Sequence, residues 1–234
     1  MIKTIILAGG YGTRLGDVTD SIPKPMVEIG GIPIIVHIME HYAFYGHKEF
    51  YIALGYKADY IIKYFNNFNS EWKINLIDTG IDTQTGGRCK KILQKIDNSK
   101  AFLTYGDGLS DINLDKLLSF HNKNRKVVTV SAVHPSARFG ELHLDGDRVI
   151  SFKEKPQLQT GWINGGFFVI EPNFINYIKD ENVMLERQPL DKAANDNELY
   201  AFKHDGFWQC MDTRRDHHLL ETLWNEGTAP WKKS

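Results

Sequence analysis

Cysteine is scarce in this sequence: Cys89 and Cys210 are the only two in 234 residues, far apart and outside any CxxC spacing. That count argues against a disulfide framework and against a structural zinc site. Net charge is missing as well. Twenty-eight basic side chains nearly cancel twenty-nine acidic ones, leaving −1, so there is no polyelectrolyte field to attract a nucleic-acid polymer or an anionic membrane. No apolar run approaches the length of a membrane span. Met1-Ile2-Lys3 leads straight into a strand-like segment, without the basic flank and apolar stretch of a signal peptide. Repeats, low-complexity tracts and Pro/Ser-rich linkers are absent too. With 42% hydrophobic and 12% aromatic residues, the chain has ample material for a core. A soluble, cytoplasmic globular protein is expected, and a mononucleotide remains an admissible ligand because a local pocket can bind one.

The first half alternates short apolar runs with amphipathic segments of helical length. Thr4–Leu7, Phe50–Leu54, Ile74–Ile77 and Ala101–Thr104 read as strands; Ile34–Tyr45, Ala58–Phe65, Arg88–Ile96 and Leu114–Asn122 read as helices. This cadence predicts a mostly parallel sheet flanked by helices. After Lys126 the spacing tightens. Val127–Val133, Glu141–Leu144, Val149–Lys153 and Trp162–Ile170 read as closely spaced strands, with Asp145-Gly146-Asp147 as a hairpin turn. Helices at Phe174–Ile178 and Arg215–Glu226, with strands at Leu199–His204 and Phe207–Met211, close the chain. The fold class expected is α/β: a Rossmann-like, mostly parallel sheet with an antiparallel elaboration in the second half. No clean boundary is visible, so one domain over residues 1–234 is expected.

The segment LAGGYGTRL follows the first strand directly. Gly9, Gly10 and Gly12 allow a tight turn that brings backbone N–H groups close to phosphate oxygens, and Arg14 adds a fork of donors. Neither the GxGxxG fingerprint nor the GxxxxGK[ST] loop is matched, because Leu15 stands where the third glycine would fall and no Gly-Lys-Ser/Thr occurs. Lys24 stands between Pro23 and Pro25, which stiffen the backbone around a cation. The segment Thr83-Gln84-Thr85-Gly86-Gly87-Arg88 opens a helix. If a base lies there, the arginine is informative: it only donates, which suits the accepting O2 and N3 of cytosine and opposes the donor N3 of uracil. A simple helix cap is the other reading.

Gly106-Asp107-Gly108 follows a strand at the edge where ligands gather in parallel sheets, and Asp212 ends another strand. As a pair these carboxylates suit Mg²⁺; singly, Asp212 serves equally well as a helix N-cap. Glu154-Lys155-Pro156 and Asn164-Gly165-Gly166 offer a cation, an amide and permissive backbone for a phosphate and sugar hydroxyls, or else a plain turn and bulge. His37 and His41 lie one helical turn apart without a third ligand in view, so packing outweighs a metal site there. No nucleophile–base pair stands out.

In this order, LAGGYGTRL, PKPMVEIGG, TGGR, TYGDG, EKP, INGGFFV, FWQCMDT and LWNEGTAPWK resemble the sugar-phosphate nucleotidylyltransferases, and most closely their glucose-1-phosphate cytidylyltransferase branch of bacterial dideoxyhexose pathways. The resemblance implies a single nucleotidyltransferase domain, with a nucleotide-binding part over about 1–125 and a sugar-binding and C-terminal part over about 126–234. It implies Leu7, Ala8, Gly9, Gly10, Tyr11, Gly12, Thr13 and Arg14 around the phosphates of CTP, with Lys24 neutralising them and Arg14 and Lys24 as the catalytic cations. Thr83, Thr85, Gly86, Gly87 and Arg88 would read the cytosine, Gly106 would join the nucleotide site, and Glu28 would order the loop. Asp107 and Asp212 would hold Mg²⁺, while Glu154, Lys155, Asn164 and Gly165 would take the sugar phosphate. The implied reaction joins CTP and α-D-glucose 1-phosphate into CDP-glucose and pyrophosphate by in-line displacement. Another nucleotide, another sugar phosphate (heptose or amino sugar) or a non-catalytic nucleotide-sugar binder are the alternatives. A homo-oligomer is expected, although the long excursion that precedes TGGR in the best-known members is replaced here by the short stretch Asn66–Trp72.

Overall fold

The computed structural model describes residues 2–12, 15–16, 21–135, 141–153 and 161–233. Its centre is a seven-stranded sheet. The strands are β1 (Lys3–Leu7), β4 (Glu49–Leu54), β5 (Lys73–Asp78), β6 (Ala101–Tyr105), β8 (Val128–Val133), β11 (Ile163–Ile170) and β12 (Leu199–His204), in the order β12-β8-β11-β6-β1-β4-β5. Neighbouring pairs are parallel except that β11 runs antiparallel to both β6 and β8. The expected antiparallel element is thus one strand inside the main sheet, and β12 returns parallel to β8.

Side chains alternate across a strand, so a strand covered on both faces must be apolar at every position. In β1, Ile6 packs into one core cluster with helix α1 (Ile34–Phe44), while Ile5 and Leu7 pack into the other with helix α3 (Thr85–Leu93). Helix α2 (Ala58–Asn66) lies beside the first cluster through Ile61 and Phe65, and helix α4 (Leu114–Asn124) through Leu114 and Leu117. Among the described residues no helix is long and apolar enough to cross a membrane.

Three small antiparallel pairs decorate the sheet: β2 (Glu28–Ile29) with β3 (Ile32–Pro33), β7 (Gly108–Ser110) with β13 (Trp208–Cys210), and β9 (Glu141–Asp145) with β10 (Arg148–Lys153). The last turns through Gly146 at φ +56°, the hairpin that its Asp-Gly-Asp sequence predicts. Where a helix is expected over Phe174–Ile178 the chain forms a 3₁₀ segment, Pro172–Tyr177; helix α5 (Gln188–Asn195) was not expected. Helix α6 (Arg214–Asn225) begins with a reciprocal capping box between Thr213 and Asp216. Thr213 is therefore the N-cap, and Asp212 is released from that role.

Candidate active site

The strand ends of β1 and β6, together with the loops after them, border a cleft of about 570 Å³ at the carboxyl edge of the sheet. Ligands gather at this edge in α/β proteins, because parallel strands release their connecting loops on one side. Leu7 ends β1, and Ala8 continues its ladder by donating to Ala53 O at 3.0 Å. Gly9 is small for a packing reason, since a Cβ there would strike the Arg88 guanidinium. Gly10 faces open space and Gly12 sits at φ +66°, so these two keep the cleft side of the loop bare. Tyr11 leans on Tyr56 and donates to Asp82 across the mouth at 3.3 Å. Thr13, Arg14, Glu154 and Lys155 lie outside the described residues.

Lys24 opens a 3₁₀ turn held between two prolines and is only 9% exposed. Its Nζ donates at 2.5 Å to both Asp107 and Asp212. These carboxylates come from distant parts of the chain and are aligned by the β7–β13 pairing, extended by the bond from Met211 N to Asp107 O at 2.9 Å. Burial pulls the ammonium's pKa down, but the charge on Asp107 and the hydrogen bonds to both acids outweigh it and raise the value. Lys24 is therefore a fixed cation at any physiological pH. Gly106, packed beneath Pro25, brings the β6 edge up to this turn.

Asp107, Asp212 and Cys210 each offer one ligand atom within 4.8 Å of the others. Burial and the Asp107 charge push the Cys210 thiol up, so it stays neutral and is a poor ligand for a hard ion. Two carboxylates that converge on a single Nζ, beside a cleft wide enough for a nucleotide, are a donor set that fits Mg²⁺ or Mn²⁺ once Lys24 turns to a phosphate.

The TGGR segment is arranged differently from its expected base-reading role. Helix α3 starts at Thr85, and Arg88 is buried in its first turns at 4% exposure. Nη1 donates to Leu54 O, Thr79 Oγ1 and Gly80 O at 2.9, 2.6 and 2.7 Å, and Nη2 donates to Gly9 O and Ile81 O at 2.9 and 3.1 Å. Its two terminal nitrogens are committed to protein oxygens rather than offered to a base, so Arg88 staples three loops of the nucleotide wall. Gly86 and Gly87 face inward as well: a Cβ on either would collide with backbone of residues 181–185. Thr83 donates to Thr79 O at 2.5 Å, and Thr85 bonds Glu186. Of this segment, Thr83, Gln84, Thr85 and Arg88 line the cleft.

Behind Tyr105, which lines the cleft, Asn164 Oδ1 accepts from Gly166 N at 2.8 Å, and its amide donates to the Tyr105 hydroxyl at 3.4 Å; Asn164 and Gly165 do not themselves line the cleft. Gly165 packs against Ser131 and Val133, and its carbonyl accepts from Trp208 Nε1 at 2.7 Å. The Glu28 side chain is exposed; its carbonyl accepts from His217 at 2.9 Å, which ties the β2–β3 hairpin to α6. Sequence reasoning quoted Tyr105 and Trp208 inside motifs without giving them roles. It missed Glu186 altogether, whose surroundings carry no turn or periodicity signal.

The nucleotidyl transferase family model matches residues 3–215. The chain belongs to the nucleotidyl transferase family. It is 43% identical to the glucose-1-phosphate cytidylyltransferase of Salmonella typhi, over 99% of each chain. The probable glucose-1-phosphate cytidylyltransferase of Bacillus subtilis is 39% identical, again over 99% of each. The alignment with the Salmonella enzyme runs over 254 positions, more than the 234 residues present here, so the relative carries residues this chain lacks. Among solved structures, HddC of Yersinia pseudotuberculosis complexed with GMP-PN superposes with a TM-score of 0.77 at 28% identity, covering 96% of this chain and all of that one.

Proposed function

We propose that this nucleotidyl transferase moves a cytidylyl group from CTP to α-D-glucose 1-phosphate with Mg²⁺ held by Asp107 and Asp212. The observation that carries the reaction class is the Lys24–Asp107–Asp212 cluster beneath a bare glycine loop. Similarity to two glucose-1-phosphate cytidylyltransferases supports the choice of substrates. The same reading takes residues 1–234 as one nucleotidyltransferase domain, with a nucleotide part over about 1–125 and a sugar part over about 126–234. Supporting this, strands from both parts share one sheet. It also takes the protein to act in the cytoplasm as a homo-oligomer.

A sugar phosphate is largely dianionic near neutrality, its second pKa being about 6. Its oxygen attacks the α-phosphorus of CTP, the bond from that phosphorus to the bridging oxygen breaks, and pyrophosphate leaves. No base is required, so the protein's task is to bring two polyanions together and align them. Lys24 turns from its two carboxylates to the nucleotide phosphates and offsets charge as it builds on the leaving group. The bare face of Gly10 and Gly12 lets backbone N–H groups approach the same phosphates. Arg14 and Lys155 add cations from the nucleotide and sugar sides. Asp107 and Asp212, freed from Lys24, would hold the ion, which would supply Lewis-acid neutralisation of phosphate charge. Asn164, Gly165 and Glu154 line the sugar.

The test is pyrophosphate release from glucose 1-phosphate and Mg²⁺ with each of the four ribonucleoside triphosphates and dTTP. Release with CTP alone is expected. Release with GTP instead would favour a guanylyl reading, for which the likeness to HddC is the supporting observation. Silence with every nucleotide would overturn the choice of sugar and turn the assay to heptose and amino-sugar phosphates.

A further inference from the structure

Residues 181–187 lie as a strap across the opening turn of α3. Gln84 N and Gly86 N donate to Glu181 O and Val183 O, each at 3.0 Å, and Lys91 pairs with Glu181. The strap carries Glu186, an exposed carboxylate whose two oxygens are held by the hydroxyls of two residues that line the cleft, Thr85 at the start of α3 and Tyr105 at the end of β6. Thr85 Oγ1 donates to one at 2.8 Å while accepting from Leu185 N at 2.8 Å. Tyr105 Oη donates to the other at 2.6 Å while accepting from the Asn164 amide at 3.4 Å. Burial and the adjacent Glu186 charge raise the Tyr105 phenol, so it stays a donor. An unbroken polar chain thus runs from the first turn of α3, on the nucleotide side, to the start of β11, on the sugar side.

We propose that Glu186 is a positioning residue that couples the nucleotide wall to the sugar wall, so that each substrate is held in register with the other. Its two hydroxyl partners are charge-assisted donors, roughly twice as strong as neutral pairs. A carboxylate accepts from both hydroxyls at once, one on each oxygen; an amide would accept from one and have to donate to the other, whose oxygen already accepts from Leu185 N or the Asn164 amide. The chemistry gives the coupling a purpose, because in-line attack needs the acceptor oxygen within about 3–3.5 Å of the phosphorus and the two substrates rest on separate walls. The inference rests on the proposed function, which names the nucleotide and sugar walls; the hydrogen bonds themselves do not depend on it.

The experiment uses the full chain, the substrate pair fixed first by pyrophosphate release with the wild type, and steady-state KM values for both substrates. Thr85→Val, which alters only the nucleotide wall, is expected to raise KM for the sugar phosphate about threefold or more. Tyr105→Phe is expected to raise KM for the nucleotide by a similar factor. Glu186→Gln should do both, and adding either of the other substitutions to it should change nothing further. Glu186→Asp, which keeps the charge but shortens the reach, should match Glu186→Gln rather than the wild type. Melting temperatures of all variants are read alongside; a Thr85→Val that melts early is replaced by Thr85→Ala, which also lacks the hydroxyl, and a Glu186→Gln that melts early by Glu186→Asp. KM changes confined to each wall's own substrate, or wild-type KM values in Glu186→Gln, would overturn the proposal. If the wild type uses a different nucleotide or sugar phosphate, the substrate reading fails while the coupling is still measured with the pair it does use.

Discussion

Replacing Arg88 by methionine keeps most of the buried aliphatic length and removes the guanidinium. Five oxygens then lose a donor, and three of those bonds, to Leu54 O, Thr79 Oγ1 and Gly9 O, are buried. The two at the rim, to Gly80 O and Ile81 O, are open to replacement by water. Each of the three keeps another partner (Thr79 N and Oγ1 on Leu54 O, Tyr56 N on Gly9 O, and Leu54 O for the Thr79 hydroxyl), so what is lost is a hydrogen bond to a charged donor, about 1.5–3 kcal/mol apiece. Removing a charge that burial already disfavours returns part of this, as the lowered pKa of Arg88 indicates. A net cost near 1 kcal/mol for each of the three gives about 3 kcal/mol, or a fall in Tm of about 6–12 °C for a chain of this size. Arg88→Lys retains the charge but not the planar fork, and one ammonium cannot reach both sets of acceptors, so about half the loss is expected. The assay is thermal unfolding of both variants, followed by KM for CTP, which should rise because Gly9 loses its anchor. A methionine variant that melts within 2 °C of wild type and binds CTP normally would refute the staple. Normal melting with relaxed base selectivity would instead return Arg88 to direct reading of the base.

Other consequences are as direct. Lys24→Ala should lower kcat by about a hundredfold or more through lost charge stabilisation; a near-wild-type rate in the pyrophosphate assay would remove it from the reacting centre. Asp107→Asn should abolish turnover without moving the melting temperature by more than a few degrees, and undiminished Mg²⁺-dependent release would exclude it as a ligand. Gly30 has φ +60° and a missing Cβ that would collide with the Trp224 ring, so Gly30→Ala should lower Tm by several degrees, read by calorimetry. Burial lowers the pKa of His41 from 6.5 to about 3. Its unfolded form therefore takes up a proton first: stability is fully present above pH 6.5 and falls by about 1.4 kcal/mol per pH unit below it, levelling near pH 3. His41→Leu should flatten that acid limb in denaturant titrations between pH 7 and 4.

The central strands and their helices were legible because the sheet is covered on both faces, which demands unbroken apolar runs such as Ile5-Ile6-Leu7 and Phe50–Leu54. The glycine loop and Lys24 were legible because their local backbone chemistry is unusual. Helix α5 was missed: it is eight residues long and only Leu190 and Ala193 mark a face beyond Pro189 at its start. That proline was the available signal. The packing of the TGGR segment was not legible for a different reason. Glycines beside an arginine look alike whether they admit a ligand or a strap of the same chain, and only tertiary packing distinguishes the two. The pairing of Asp107 with Asp212 was expected through family resemblance, but its cause, the β7–β13 ladder, is a long-range contact with no local trace.

That ladder also orders events during synthesis. The seven-stranded sheet is complete once β12, ending at His204, has left the ribosome. Asp212 follows a few residues later and reaches a lysine 188 positions earlier in the chain. A chain released just short of that point would carry the whole sheet and the glycine loop, yet its Lys24 would have Asp107 alone as counter-charge. Of the three clustered side chains Asp212 is thus the last to be made, and termination after β12 would remove with it Met211, Leu220 and Trp231, which are buried in the core beside the first half of the chain.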